Sequence, residues 1–457
     1  MIPFPATIST LIDALRDHHI TPILVGGYVR DALISHPTCD MDIELYGLTS
    51  IEELETILKP FGKLNAVGKS FGVLKLSYQG LTIDFSPPRI ESKHSAGHKG
   101  FEIEWFSDMD FAEAARRRDF TINAIGYNPL TKTLLDPYGG VDDLNNKRLA
   151  CVDNSTFVED PLRILRAVQF AARFELKCDK NLLELCREMI LAGALNELPK
   201  ERIFEELKKL LLLSNRPSLG LSLLQQMGGL SFFSPLDQLQ NTPQDPLSHP
   251  EGSVWEHILM CVDEMAKMRT KEAKRDTVLM LAALLHDIAK PFTTIVIEGV
   301  LNAPHHAEKG MEIARIWLTR ITDDKSLIEA VLPLIRYHGT PRKLYRNRAS
   351  DSDILRLSTH VCINDLLLIS RADFFGRLFV STLPENHNAG AWLYERASAL
   401  NVLHAPPPPL LMGRDLIALG LTPSTRFKTI LDAAYEAQLN QEITTAEQAK
   451  AWLVTQL

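Results

Sequence analysis

The chain contains 457 residues, of which 45% are hydrophobic and 23% are charged. At roughly 150 residues per domain the length predicts about three domains, and the composition excludes wholesale disorder, a fibre and a disulfide-stapled scaffold. The formal net charge of -8 excludes a histone-like basic coat, so a nucleic-acid site must be a local basic groove on an acidic protein.

The six cysteines are scattered and include no C-x-x-C pair, so neither a zinc ribbon nor a disulfide framework is indicated. Scattered cysteines without such pairs are typical of proteins in a reducing compartment. The N-terminal segment lacks a basic start followed by an apolar run, and no stretch reaches the roughly 18 apolar residues of a membrane span. We therefore expect a cytoplasmic protein with no membrane partner.

Residues 1–130 predict an α/β head domain. Ile8, Leu11, Ile12 and Leu15 recur at helical spacing. Short strand-like runs follow, and they read TPILVGG, CDMDIELYG, GVLKLSYQG and LTIDFS.

The rest of the chain predicts helices. Residues 131–235 include DPLRILRAVQFAARFEL and KERIFEELKKLLLL, both apolar at helical spacing. Residues 236–253 are rich in Pro, Ser, Gln and Asp and predict a linker. Residues 254–404 return to helical spacing and hold most of the histidines, and the proline run at 405–410 separates a helical tail over 410–457, because proline cannot occupy a helix interior.

A glycine pair ends the first strand-like run. Gly26 and Gly27 lack a Cβ, so their backbone can approach a triphosphate closely, and Arg30 would lie beside the same anion in the first turn of a helix. Taken alone, the pattern is more often a plain strand-to-helix turn.

Carboxylates follow on the next strands. Asp40, Asp42 and Glu44 alternate with apolar residues and so share one face of a strand, where they repel each other unless cations lie between them. Hard oxygen ligands at this spacing suit Mg²⁺. Asp84, on a further strand, would supply a third carboxylate for in-line phosphoryl transfer with two metals, or is an exposed strand residue.

At this point the sequence resembles a known family. LVGGYVRDAL followed by Asp40 and Asp42 resembles the nucleotidyltransferase superfamily. The runs RRRDFTINA (116–124), DPYGG (136–140), EDPLRILRA (159–167) and PKERIFEEL (199–207) are similar, in the same order, to further motifs of class II tRNA nucleotidyltransferases, the CCA-adding enzymes of bacterial type. Bacterial poly(A) polymerases share most of these motifs.

The resemblance implies an α+β protein with a small mixed-sheet head, an all-helical neck over 131–235, an HD-type helical domain and a helical tail. It implies Mg²⁺ as cofactor, tRNA, CTP and ATP as partners, and no DNA. Asp40, Asp42 and Asp84 would be catalytic. The nucleotide would contact Gly26, Gly27, Arg30, Arg118, Asp119, Asn123, Asp160, Arg163 and Arg166.

The proposed nucleotide contacts make chemical sense. Arg118 is a forked donor suited to phosphate or ribose oxygens, and Asp119 and Asn123 can hold the sugar or orient the arginine. Asp160 and Arg163 fall near one face of a predicted helix that begins with Glu159. A carboxylate can accept a hydrogen bond from the amino group of cytosine or adenine, while a guanidinium beside it donates to the neighbouring ring nitrogen. Arg166 would add a phosphate or base contact. The alternatives are a solvated charge run for residues 116–119 and an i,i+3 helix salt bridge for Asp160 and Arg163.

Histidines and aspartates in the second half indicate a metal site. An adjacent His-Asp pair with further histidines and a later aspartate suits a divalent transition metal that activates water. The order resembles the HD phosphohydrolase domain, which implies metal-dependent phosphatase and 2',3'-cyclic phosphodiesterase activity. By that resemblance His257, His286, Asp287 and Asp373 are core ligands, and His306 and His338 hold a second metal or face substrate. A degenerate domain kept for RNA binding is the alternative.

The sequence thus predicts template-independent CCA addition to tRNA, with HD-domain hydrolysis as a second activity. The segment between Asp84 and Arg116 is long enough to hold the flexible loop that members of the resembled family use when they switch to adenosine addition. That length favours full CCA addition over a poly(A) polymerase or a partial A-adding or CC-adding enzyme. A third hypothesis is an HD phosphohydrolase with a non-catalytic RNA-binding head. Basic residues at 267–275 and 336–348 would line a groove for the acceptor stem, or form solvated helix faces.

Overall fold

The structure is a computed structural model that describes residues 2, 4–36, 38, 40–65, 73–93, 101–105, 109–378 and 384–456. Two compact units make up the chain, Met1–Phe232 and Phe233–Leu457. Part of the predicted loop between Asp84 and Arg116 lies outside the described residues. Within these ranges, no helix combines the length and the apolar character needed to cross a bilayer.

The N-terminal unit contains a mixed sheet and helices. Its strands are β1 (Thr21–Val25), β2 (Asp40–Tyr46), β3 (Lys63–Asn65), β4 (Leu74–Tyr78), β5 (Leu81–Ser86), β6 (Arg89–Lys93), β7 (Phe101–Trp105), β8 (Gly126–Asn128), β9 (Thr133–Leu135), β10 (Arg148–Leu149) and β11 (Lys177–Cys178). Its helices are α1 (Ala6–Asp17), α2 (Gly27–Leu33), α3 (Ile51–Leu58), α4 (Phe111–Ala115), α5 (Gly140–Asn145), α6 (Asn154–Phe157), α7 (Leu162–Arg173), α8 (Lys180–Leu191), α9 (Lys200–Leu213) and α10 (Pro217–Gln226).

The main sheet has the order β3-β4-β5-β2-β1-β8-β9 within the described residues. Strands β2 and β5 are parallel, whereas β1 pairs antiparallel with both β2 and β8. This mixed sheet, the opening helix α1 and the predicted strand runs are confirmed. The boundary predicted at residue 130 differs from the structure, because β9 lies beyond it and pairs with β8.

Helices α7, α9 and α10 pack together after the sheet. The apolar face of α7 is buried at Ile164, Leu165 and Val168, and that of α9 at Ile203 and Leu210. The helical spacing read from both segments is therefore confirmed. Burial of these side chains against each other holds α7 in place at the end of the head, since isolated helices of this length are marginal in water.

The C-terminal unit is almost entirely helical. Its helices are α11 (Val254–Lys267), α12 (Ala273–Leu285), α13 (Lys290–Thr293), α14 (His306–Ile321), α15 (Lys325–Tyr337), α16 (Thr340–Arg346), α17 (Asp351–His360), α18 (Ile363–Phe375), α19 (Pro384–Ala399), α20 (Gly413–Ala418), α21 (Thr425–Leu439) and α22 (Ala446–Thr455). A hairpin of β12 (Ile295–Ile297) and β13 (Val300–Asn302) lies between α13 and α14. The tail helices α20, α21 and α22 enclose a small apolar core of their own, centred on Leu416 and Leu453.

The segment predicted as a linker, 236–253, is structured in this unit. It opens with a 3₁₀ helix, Leu236–Asn241, whose Leu236 and Leu239 side chains are buried. Ser253 then begins α11 in a capping box with Glu256. The polar composition predicted a linker, but Leu236 and Leu239 are buried where the 3₁₀ helix packs against α11 and α13.

Candidate active site and candidate metal centre

Three carboxylates meet at the β2–β5 pair. Asp42 lies directly opposite Asp84 in the parallel register, and Asp40 lies opposite Thr82. On β2 the side chains alternate, so Asp40 and Asp42 are exposed while Met41 and Ile43 are buried. Asp84 is half-buried, with Oδ2 lying 3.3 Å from Lys75 Nζ. The sheet therefore brings together the acidic residues that the sequence predicted.

This acidic face fits a divalent cation. Desolvation raises the pKa of Asp42, and the negative charges of Asp84 and Asp40 raise it further, while Arg118 opposes them. Asp84 Oδ1 is buried without a hydrogen-bond partner. An all-oxygen set with one unsatisfied buried oxygen is the kind of site that Mg²⁺ prefers.

Gly26 lies beside these carboxylates. Its φ of +66° belongs to the region that glycine adopts most readily. A Cβ at Gly26 would lie 3.1 Å from Arg118 Nη1 and 3.5 Å from Asp42 Oδ2. The absent side chain therefore leaves room for Arg118 next to Asp42, and Gly27 begins α2 immediately afterwards.

The position of Arg118 depends on Glu44. Arg118 Nη2 donates to Glu44 Oε1 at 2.5 Å, and Arg118 Nη1 donates to the backbone oxygen of Asn123 at 3.1 Å. The Tyr46 hydroxyl donates to the other carboxylate oxygen of Glu44. Sequence reasoning placed Glu44 on the acidic face but missed this anchoring role, which requires a residue 74 positions away.

Arg30 is buried, whereas the sequence predicted that it would contact a triphosphate. The side chain is only 4% exposed, with its guanidinium bonded to Asp31 and to the Asn123 side chain and lying against the rings of Phe170 and Phe174. Burial lowers the pKa of Arg30, against the opposing effect of Asp31. Because its guanidinium is enclosed by protein, Arg30 joins α2 to α7 and orders Asn123 instead of lying open to a triphosphate.

Asp119 is the centre of a buried network. Its carboxylate accepts hydrogen bonds from Asn123 Nδ2 at 2.9 Å and from Arg166 Nε at 2.7 Å. Burial alone would raise the pKa of Asp119, but Arg166 and Asn123 hold it below its ordinary value. The alternative of a solvated charge run does not fit Asp119, which is 8% exposed.

Asp160 lies before the helix on which the sequence placed it. Helix α7 begins at Leu162, after Pro161, so Glu159 and Asp160 precede it. Asp160 Oδ1 accepts from the Leu162 amide at 3.0 Å, as a cap does, and Oδ2 accepts from Arg202 Nη2 at 3.1 Å. The carboxylate is thereby fixed at the entry to α7.

Arg163 is held by backbone oxygens. Its Nη1 donates to Thr156 at 2.7 Å and its Nη2 to Arg117 at 2.8 Å. The predicted alternative, an i,i+3 salt bridge with Asp160, is thus replaced by separate partners for each side chain. Arg202, in the motif 199–207, is a residue whose contact with Asp160 sequence reasoning missed.

In the C-terminal unit the structure brings six predicted residues together. His257 lies on α11 and Asp373 on α18, and His257 Nε2 is 3.1 Å from Asp373 Oδ1. The His286 and Asp287 pair follows α12, and His306 Nε2 lies 3.5 Å from Asp287 Oδ1. His338 completes the cluster, with Nε2 lying 3.8 Å from the same oxygen.

The backbone fixes which ring nitrogen of each histidine faces the cluster. The four Nδ1 atoms lie within hydrogen-bond distance of carbonyl oxygens, which only accept, so Nδ1 bears the proton and Nε2 faces inward. The Nε2 atoms of His306 and His338 are 3.2 Å apart, so their lone pairs repel unless a proton or a metal ion lies between them. The pairs are His257 with Gly376 (3.0 Å), His286 with Ala283 (2.9 Å), His306 with Ala303 (2.6 Å) and His338 with Ile335 (2.7 Å).

The cluster fits a divalent metal. His286 Nε2 and Asp287 Oδ1 are buried without hydrogen-bond partners. Burial, with the neighbouring histidines, lowers the pKa of His338 to about 3, so this imidazole is neutral near pH 7 and has a lone pair for a metal. Asp287 also lies 2.7 Å from Lys290. Asp287 is placed between two groups of ligand atoms, one formed with His306 and His338 and the other containing His257 and His286.

Further residues around the cluster were missed from the sequence. Glu251 Oε1 lies 2.8 Å from His249 Nδ1 and 3.0 Å from His257 Nδ1, and both His249 and Glu251 belong to the segment predicted as a linker. Cys261 and Arg377 also lie at the cluster. The density of histidine and glutamate in SHPEGSVWEH was the only signal for the first pair.

A cavity of about 670 Å³ opens onto Asp287, His306 and His338. Cationic side chains line it, and several of them belong to the basic stretch 336–348 that the sequence singled out. A phosphate-bearing ligand complements such a lining. The cations are Lys290, Arg342, Lys343, Arg346 and Arg377.

Comparison with known proteins identifies the family of the chain. Residues 23–150 match the family described as Poly A polymerase head domain, 176–236 that described as Probable RNA and SrmB- binding site of polymerase A, and 254–375 the HD domain. A protein of Actinobacillus pleuropneumoniae serotype 5b named Multifunctional CCA protein is 32% identical over 394 residues, 83% of this chain and 91% of its own. The chain belongs to the multifunctional CCA protein family. The resemblance seen in the motifs is thereby confirmed.

Solved structures share the fold of this family member. The Bacillus stearothermophilus CCA-adding enzyme in complex with CTP matches at TM-score 0.65 and 19% identity over 99% of this chain and 98% of its own. The Thermotoga maritima CCA-adding enzyme complexed with tRNA_CCA matches at TM-score 0.60 and 19% identity over 100% and 96%. The mixed-sheet head followed by helices is thus an arrangement found in solved CCA-adding enzymes.

Proposed function

We propose that this chain adds CCA to the 3' end of tRNA from CTP and ATP, without a nucleic-acid template. The observation that carries the proposal is the placement of Asp42 opposite Asp84, beside Gly26 and Arg118, in a member of the multifunctional CCA protein family. We place the reaction in the cytoplasm, in keeping with the five cysteines that the structure describes, all of them free thiols.

The reaction is a displacement at phosphorus. A bond forms between the tRNA 3' oxygen and the α-phosphorus, the bond to the β-phosphate oxygen breaks, and pyrophosphate leaves. Asp84, which lies opposite Asp42, accepts the proton of the 3' hydroxyl. Asp40 and Asp42 would hold Mg²⁺, which supplies charge stabilisation at the phosphate and lowers the pKa of the attacking hydroxyl.

Arg118 acts on the incoming nucleotide. Its guanidinium is held by Glu44 and the Asn123 carbonyl at the edge of the acidic face, so further N–H donors can bind triphosphate or ribose oxygens. Gly26 lets the backbone approach the same oxygens, since it has no Cβ. These groups act by positioning the α-phosphate for in-line attack.

Asp160 and Arg163 select the base. Asp160 accepts a hydrogen bond from the amino group of cytosine or adenine, and Arg163 donates one to the neighbouring ring nitrogen. Uracil and guanine present a carbonyl acceptor beside a ring N–H donor, which is the reverse order. Asp160 is fixed by Arg202 and Arg163 by the carbonyl of Thr156, so both groups are held before the base binds. The named bonds of Arg163 use two of its five N–H donors.

A second activity, phosphoester hydrolysis, is favoured by the metal-fitting cluster and the cationic cavity beside it. His257, His286, Asp287, His306, His338 and Asp373 would hold divalent transition metal ions, which supply an activated water. Lys290 and Arg377 would bind the phosphate oxygens, because both cations lie at the cluster and line the cavity.

The test uses tRNA that ends before CCA and one labelled nucleotide at a time. We expect two cytidines from CTP, one adenosine once the cytidines are present, and little incorporation from UTP or GTP. Long adenosine tails without cytidine would instead indicate a poly(A) polymerase, and cytidine or adenosine addition alone would indicate a partial enzyme. Either result contradicts the proposal.

A further inference from the structure

Cys261 lies one helical turn after His257 on α11, so both side chains project from the same face. The cysteine is 0% exposed, and its Sγ lies 3.3 Å from His257 Nε2. The ligand atoms of Cys261, His257, His286 and Asp373 all lie within 4.8 Å of one another. A sulfur therefore belongs to a group of metal-type donors that the sequence predicted from imidazole and carboxylate alone.

The loop after α18 accommodates this sulfur. A Cβ at Gly376 would lie 2.5 Å from Cys261 Sγ, so the glycine leaves the space that the sulfur occupies. The carbonyl oxygen of Gly376 also accepts the Nδ1 proton of His257, which directs Nε2 of that ring toward the sulfur side of the cluster. One residue thus makes room for one donor and orients the next.

The remaining members of the group are ready to bind a cation. His286 is 1% exposed and its Nε2 has no hydrogen-bond partner. Two ligand atoms bonded to one tetrahedral metal at about 2.1 Å for nitrogen and 2.3 Å for sulfur lie about 3.4 to 3.6 Å apart. Cys261 Sγ lies 3.3 Å and Asp373 Oδ1 3.1 Å from His257 Nε2, close to this separation. The wider separations in the group, all within 4.8 Å, would close by about an ångström through side-chain rotations.

We propose that Cys261 is a thiolate ligand of a zinc-like divalent metal, completed by His257, His286 and Asp373. This donor set of one sulfur, two nitrogens and one oxygen suits a tetrahedral, thiophilic ion more than Mg²⁺. On binding, the S–H bond breaks, a sulfur–metal bond forms and the thiol proton leaves to solvent. The inference rests on the proposed metal centre and assigns its ligand and its metal class.

Neighbouring cations stabilise the added negative charge. Arg377 Nη2 lies 3.0 Å from Asp373 Oδ1, and Lys290 lies 2.7 Å from Asp287. A thiolate and carboxylates buried together would otherwise repel each other strongly in a medium of low dielectric constant. Without metal, Cys261 Sγ lies 3.3 Å from His257 Nε2, and a metal ion would replace this contact.

The experiment uses the full chain, stripped of metal and titrated with Co²⁺ without oxygen. We expect a near-ultraviolet sulfur-to-cobalt charge-transfer band whose full intensity corresponds to one sulfur-bound Co²⁺ per chain. The band is specific for sulfur, so Co²⁺ bound by Asp40 and Asp42 does not contribute to it. Cys261→Ala should abolish the band and weaken Zn²⁺ binding at least about tenfold. Cys186→Ala is the matched control, because Cys186 is equally buried, on α8 of the other unit.

X-ray absorption of the Zn²⁺-loaded wild-type chain is a second readout that needs no variant. A sulfur neighbour at about 2.3 Å from zinc is expected. Metal bound with only nitrogen and oxygen neighbours, or a band that survives Cys261→Ala, overturns the thiolate assignment and leaves the metal centre in place. If the C-terminal unit retains no metal, the proposal of a metal centre there is contradicted as well.

Discussion

Asp84 faces Asp42 across the parallel strands β5 and β2, and its Oδ1 has no hydrogen-bond partner. We expect Asp84→Asn and Asp42→Asn each to reduce nucleotide incorporation into tRNA at least about 100-fold, since each removes a charge from the transition-state environment. Single-turnover incorporation of labelled CTP measures the effect. Asp13→Asn, which removes an exposed carboxylate from α1, is the control. Full activity of Asp42→Asn would mean that the head is not the catalyst.

Glu44 is predicted to act through Arg118. Glu44→Gln keeps the size of the side chain but loses the charge-assisted bond to Arg118, a contact that contributes about 1.5 to 3 kcal/mol when partly buried. We expect KM for CTP and for ATP to rise together, with a smaller change in kcat. Tyr46→Phe removes only the hydroxyl that donates to Glu44 and should change KM much less. Equal KM values in both variants and the wild type would contradict the role.

Arg202 is predicted to maintain base selection through Asp160. Without the guanidinium, Asp160 keeps only its amide contact at Leu162 and can rotate, so its match to the amino group of cytosine or adenine weakens. We expect Arg202→Ala to lower the preference for CTP over UTP about tenfold, equivalent to about 1.4 kcal/mol. Lys208→Ala, on the same helix but paired with the exposed Glu205, is the control. An unchanged preference in Arg202→Ala argues against the proposed reading of the base.

Local patterns predicted the parts of the site that depend on strand and helix spacing. Period-two alternation placed Asp40 and Asp42 on one face, and an adjacent strand-like run brought Asp84 beside them. The histidines and aspartates of the second unit were also found, because metal-ligand residue types are rare on apolar helices. Those predictions needed only the neighbours of each residue along the chain.

The contacts that the sequence did not predict join distant segments. Arg30 is enclosed because Phe170 and Phe174 of α7 lie against it, and no local pattern indicates that packing. Glu251 reaches His257 only because the segment predicted as a linker folds onto α11. Asp160 lies outside α7 because Pro161 precedes the first helical residue. Each difference depends on which surfaces meet after folding.

Asp153 should make the N-terminal unit sensitive to acid. Hydrogen bonds from Ser155, together with Arg116, lower the pKa of Asp153 to about 2, below its ordinary value of 3.8. A depressed pKa stabilises the folded state above about pH 4, and this stabilisation is lost as the pH falls from about 4 to about 2. The difference in unfolding free energy between wild type and Asp153→Asn should therefore shrink over that range, by about 1 to 2 kcal/mol after allowance for solvent screening. Urea titrations at several pH values measure it, and a difference that does not depend on pH contradicts the assignment.

Asp287 separates the two activities. It lies between the His306–His338 pair and the His257–His286 group, so its loss removes the carboxylate ligand of the first and a negative charge beside the second. We expect Asp287→Asn to reduce hydrolysis of 2',3'-cyclic nucleotides and of phosphate monoesters at least about 100-fold, while incorporation of CTP into tRNA continues. His360→Ala, which changes a histidine of the same unit that belongs to neither ligand group, is the control. Hydrolysis that persists in Asp287→Asn but disappears in Asp42→Asn would instead assign both reactions to the head, because only the acidic face of β2 and β5 would then be needed.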